Sequence, residues 1–130
     1  MLVRVLFPDP PLVRTPISLL RWWEARRLTY NAVVGASGLV TVGVIETLSL
    51  LFGFPGGHFP WLLVGVYGLL ANVAYSFGWV AEATLQKWLR RETYGLGPAL
   101  FRHGLVFSVG LTLFPAALAT LASLVRLFVH

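Results

Sequence analysis

The sequence predicts an all-α membrane protein, three transmembrane helices preceded by an N-terminal interfacial helix. Three observations carry that prediction. The 130-residue chain is 57% hydrophobic and only 12% charged, whereas ordinary soluble domains carry roughly 25% charged residues. Its apolar residues are gathered into three runs of bilayer length. Its ten lysines and arginines sit in clusters that flank those runs, the pattern by which membrane proteins orient themselves.

Residues 1–27 read as a cytoplasmic segment and interfacial helix, and residues 28–130 as the transmembrane domain. Pro8-Asp9-Pro10-Pro11 favours an extended stretch, because proline fixes φ and lacks an amide hydrogen. Met1 to Phe7 is too short an apolar core for a cleavable signal. Thr15-Pro16 is a helix-start signal, with a capping hydroxyl and proline in the first turn. ISLLRWWEARR follows at 17–27. Trp22 and Trp23 beside Arg26 and Arg27 form an interfacial composition, with rings at headgroup level and guanidinium groups on phosphate.

The first span covers about 28–53, roughly 39 Å of helix against a hydrocarbon core of about 30 Å. FGFPGGHFP at 52–60 is a turn rich in helix breakers. The second span covers 60–83, framed by Trp61 and Trp79, and continues as a polar helix past Lys87 and the interfacial Trp88. Gly95-Leu96-Gly97-Pro98 ends one helix and starts the next. The third span covers about 104–125 and contains Pro115, where a kink is expected.

Orientation follows from the basic residues. Arg4, Arg14, Arg21, Arg26 and Arg27 precede the first span, and Lys87, Arg90, Arg91 and Arg102 lie in the second connection. The first connection has none and the far end has Arg126 alone. The expectation is therefore a cytoplasmic N-terminus and a periplasmic C-terminus in a bacterial inner membrane.

Membrane helices associate through small residues and polar contacts, because lipid tails are as apolar as leucine. Each span shows one such stripe. In the first, Asn31, Gly35, Gly38, Val42, Glu46 and Ser49 share a side. In the second, Gly65, Gly68, Asn72, Ser76 and Trp79 do so between Trp61 and Ala83. In the third, Gly104, Ser108, Leu111, Pro115, Ala122 and Arg126 align. These faces either build a three-helix bundle or dock other membrane subunits.

An acid within a span is a candidate for proton transfer. Glu46 stands about 27 Å above Leu28, and Arg126 about 33 Å above Gly104. The two readings are an ion pair near the far interface or a proton carrier. Glu82, level with Arg27, suggests a pair fixing the register of the first two helices. Asn72, about 18 Å from Pro60, needs a cross-helix hydrogen bond at mid-membrane or a substrate contact.

Other chemistry is sparse. The absence of cysteine removes disulfides and thiolate sites. His58, His103 and His130 share no face at metal-ligand spacing, although His58 is placed to ligate an interfacial pigment magnesium. There is no phosphate loop, paired carboxylate set or catalytic triad. No nucleic acid, soluble substrate or resident cofactor is expected, and membrane lipid or peripheral pigment is the ligand class left open.

RRLTYN at 26–31 and NVAYSFGWVAE at 72–82 resemble motifs of short uncharacterised bacterial three-span membrane proteins. The resemblance covers the first two spans and implies no activity. The chain also resembles an accessory subunit of a phototrophic bacterial reaction centre–antenna complex. The resulting expectation is a non-enzymatic structural subunit. The alternative is a small homo-oligomeric proton-coupled transporter or channel using Glu46 and Asn72.

Overall fold

The computed structural model describes Asp9 and residues 15–53, 61–89 and 95–129. Three helices account for nearly all of them: α1 (Pro16–Phe52), α2 (Trp61–Leu89) and α3 (Leu96–Val129). All three are long and apolar enough to cross a membrane. Residues 54–60, where the sequence leads one to expect a turn with His58, residues 90–94 and His130 lie outside the described residues.

Thr15 caps α1 as the sequence predicts. The Ser18 amide donates to Thr15 Oγ1 at 3.2 Å, and the Thr15 amide donates to Ser18 Oγ at 2.9 Å. Reciprocal bonds of this kind satisfy two amides that helix geometry leaves open. At the other end Gly53 takes φ +61°, a left-handed cap that favours glycine.

The interfacial helix is not a separate element. Residues 17–27 are the first turns of α1, which runs 37 residues without a break, or about 55 Å. No glycine or proline stands between Ile17 and Val34 to interrupt it. α3 likewise passes through Pro115 as one helix.

α1 and α3 run parallel and make the most extensive contact, with α2 antiparallel against both. Aromatic rings form the core at the basic end. Trp22, Trp23, Tyr30, Tyr75 and Phe101 are buried together, with Trp23 edge-on to Tyr75 at 5.3 Å and Tyr30 tilted on Tyr75 at 4.6 Å. Each such pair contributes about 0.5–1.5 kcal/mol beyond simple burial.

Hydroxyls continue the seam toward the far end. Tyr30 and Ser108 share a hydrogen bond at 2.7 Å, and Thr41 Oγ1 donates to the Thr112 carbonyl at 2.7 Å. Tyr67 reaches Thr112 Oγ1 at 2.6 Å. Beyond Tyr67, α2 loses its packing: every residue from Trp61 to Val66 is exposed. α1 and α3 remain together there, with Ala116 and Ser123 buried. The bundle is therefore closed at its basic end and open along α2 at the other.

Candidate functional site

Glu82 is fully buried, with 0% of its surface exposed. It stands where the three helices meet. Trp23 of α1 donates its indole N–H to Glu82 Oε2 at 2.8 Å, and Gln86, one turn along α2, donates to Oε1 at 3.4 Å. Gly97 in the first turn of α3 faces the carboxylate so closely that an added Cβ would lie 2.5 Å from Oε2. The start of a long helix carries partial positive charge from its open amides, which favours an acid there.

The Trp23 ring fits over Gly78 of α2, where an added Cβ would lie 2.6 Å from the indole. The Tyr75 hydroxyl donates to the Trp23 carbonyl at 2.6 Å. One tryptophan therefore locks α1 to α2 by its side chain and its backbone, and Glu82 brings in α3.

The expected pairing of Glu82 with Arg27 does not occur. Arg27 is held by Glu24, Nη2 to Oε1 at 2.7 Å, and donates to Ser76 Oγ at 2.9 Å. Glu24 and Arg27 stand three positions apart, which makes them neighbours on one helix face, so the local acid takes the guanidinium. Glu82 is left with neutral donors among the described residues.

Trp22 and Trp23 also differ from the interfacial placement read in the sequence. Both turn into the bundle, Trp23 with 2% of its surface exposed. Arg26 covers Trp22 from outside, its guanidinium carbon 3.9 Å from the ring centre. Trp61 and Trp88, at opposite ends of α2, are 64% and 85% exposed.

The small-residue stripes divide into two groups. A Cβ added to Gly38 would lie 3.8 Å from Thr112 Cγ2, and Ser76 and Ser108 make the cross-helix bonds already described. By contrast, Gly35, Gly65, Gly68 and Gly104 have open space where a Cβ would stand. Trp79 is half-buried.

On the α1–α2 seam, Asn31 donates to Asn72 Oδ1 at 3.2 Å, and Asn72 donates to the Gly68 carbonyl at 3.1 Å. Asn72 thus has cross-helix and backbone partners inside the protein. Asn31 itself is exposed, as are Gly35 and Glu46 further along the same side of α1.

Glu46 and Arg126 are both exposed and form no salt bridge with each other. An open edge of α1 therefore carries the exposed Gly35 and Glu46 beyond Asn31, which is itself bonded to Asn72. His103 is exposed and its Nδ1 meets the Ala99 carbonyl at 2.7 Å. Among the described residues no three His, Cys, Asp or Glu side chains gather for a metal.

The aromatic lock was missed in the sequence because tryptophans beside arginines read as membrane-edge anchors. A signal was present: Trp23, Tyr30, Val34 and Thr41 recur at helical spacing, and all four are buried. No protein-family model, curated protein or solved structure matches the chain.

Proposed function

We propose that the chain is a non-catalytic accessory subunit that docks to larger subunits of a bacterial membrane complex through the open edge of α1 and the far half of α2. The observation that carries this reading is the exposure of Glu46, with Gly35 of α1 and Gly65 of α2 uncovered as well. A carboxylate facing lipid within a span is costly, by about 2.5–3.5 kcal/mol at the centre of a helix and less toward its end. Glycines without a facing side chain let a neighbouring helix approach closely. A partner helix that covers this edge and supplies a donor to Glu46 accounts for both features.

The basic end would face the cytoplasm, since nine of the ten lysines and arginines belong to that side of the chain. The host we propose is a phototrophic reaction centre–antenna complex, whose accessory subunit the chain as a whole resembles. The conduit reading has less support, because Asn72 is already engaged by Asn31 and Gly68.

Extraction of the full chain from its own membrane in mild detergent, followed by weighing the particle, tests the proposal. The expected result is a complex larger than the 14.3 kDa chain, lost on Gly35→Leu or Glu46→Ala while each variant still inserts and folds. A lone chain under the gentlest extraction, or an intact complex with both variants, contradicts it.

A further inference from the structure

We propose that Trp23 and Glu82 form a proton-coupled electron donor. A one-electron oxidant at the basic edge of the bundle, of the class of radical cations and oxidised metal complexes, draws the electron from the indole while Glu82 takes the indole proton. The relationship that carries this is the 2.8 Å hydrogen bond from the Trp23 N–H to Glu82 Oε2, between two buried side chains. Electron transfer needs no direct contact. The proton needs an acceptor at hydrogen-bond distance, and the pair supplies it.

The surroundings of the carboxylate favour its taking that proton. Its hydrogen-bond partners, Trp23 and Gln86, are both neutral, and no described cation pairs with it. A buried charge without a counter-charge is costly. The start of α3 eases that cost without supplying a full charge. The step balances: the indole N–H bond breaks, an O–H bond forms on Glu82, and one electron reduces the oxidant. A neutral indolyl radical remains, and the pair has passed from a single negative charge to neutral.

Neighbouring rings lack this arrangement. Trp22 stands edge-on to Trp23 at 5.5 Å and Tyr75 at 5.3 Å. The Arg26 guanidinium lies 3.9 Å from the Trp22 ring centre and that of Arg27 5.2 Å from the Tyr75 ring centre. A cation beside a ring opposes removal of an electron from it. The Trp22 N–H donates to the Asp9 carbonyl and the Tyr75 hydroxyl to the Trp23 carbonyl, acceptors far less basic than a carboxylate. Of these rings, Trp23 is the one bonded to an acid.

The test uses the full chain in detergent, with Trp61→Phe and Trp88→Phe to remove two exposed tryptophans. Photogenerated tris(bipyridine)ruthenium(III) serves as the oxidant, and transient absorption and infrared difference spectra are recorded. A neutral indolyl radical should appear together with a new carboxylic-acid C=O band that shifts in heavy water. Glu82→Gln should abolish that band and leave the oxidised indole as a radical cation. Should this variant fail to fold, Trp23→Phe decides the matter, since it should abolish the band with Glu82 still in place. A parent that forms its radical without the band overturns the proposal, as does a band that survives in either folded variant.

Discussion

The indole N–H of Trp23 lies 2.8 Å from the Glu82 carboxylate, joining residues fifty-nine apart in sequence. No described cation pairs with that acid, yet it is fully buried. A buried polar group costs about 1–3 kcal/mol when its partner is removed. An amide oxygen in place of the carboxylate still accepts the indole proton without burying a charge. Glu82→Gln should therefore leave the thermal midpoint in detergent unchanged or raised. Glu82→Ala should lower it by an amount corresponding to about 1–3 kcal/mol. Equal losses from both would show that the negative charge, and not the acceptor, holds the junction.

Gly78 and Gly97 are required by close approach. Gly97→Ala brings a methyl group to 2.5 Å from the Glu82 carboxylate, and Gly78→Ala brings one to 2.6 Å from the Trp23 ring. Overpacking of this kind costs about 1–3 kcal/mol. Gly35→Ala and Gly65→Ala meet open space, and alanine is the better helix former. Thermal unfolding of the isolated chain should separate the two pairs, the first destabilised and the second unaffected or slightly improved.

Tyr67 is a half-buried tether of α2, bonded to Thr112 Oγ1 at 2.6 Å and to the Ser108 carbonyl at 3.2 Å. Cross-helix hydrogen bonds in membranes average about 0.6 kcal/mol. Tyr67→Phe should cost little stability but should loosen the far half of α2. Amide hydrogen exchange around residues 61–66 should quicken, with residues 75–82 unchanged. Uniform exchange along α2 in the variant would contradict the closed-and-open description.

Arg27 joins Glu24, Ser76 and, at 5.2 Å, the Tyr75 ring. Exposed ion pairs are worth about 0.2–1 kcal/mol, so Glu24→Gln should cost no more than that and should become harmless at high salt. Arg27→Ala removes the contact to α2 as well and should cost more at any ionic strength. Chemical unfolding in detergent at low and high salt distinguishes the two.

The three helices and their starts near residues 16, 61 and 96 were legible, because apolar length, capping chemistry and helix breakers are local signals. The packing faces were less so. Gly35 and Gly38 are three residues apart, so they lie on neighbouring but distinct sides of α1; only Gly38 meets α3. Small residues mark where a helix is able to approach, without naming which neighbour does so. The seam instead follows aromatic and hydroxyl side chains. Their partners come from distant parts of the chain, as with Tyr30 and Ser108. The Glu82–Arg27 pairing failed for a similar reason: equal depth in a membrane does not outweigh an acid three residues away on the same helix.

Everything rests on three crossings that place successive connections on opposite sides of a bilayer. The chain contains no cysteine, so single cysteines introduced at Asp9, Gly57, Glu92 and His130 report cleanly. In intact cells treated with a membrane-impermeant maleimide, the Gly57 and His130 variants should react at once. The Asp9 and Glu92 variants should react only after the membrane is opened. Labelling of all four before permeabilisation, or recovery of the chain in the aqueous fraction without detergent, would contradict the three-span account.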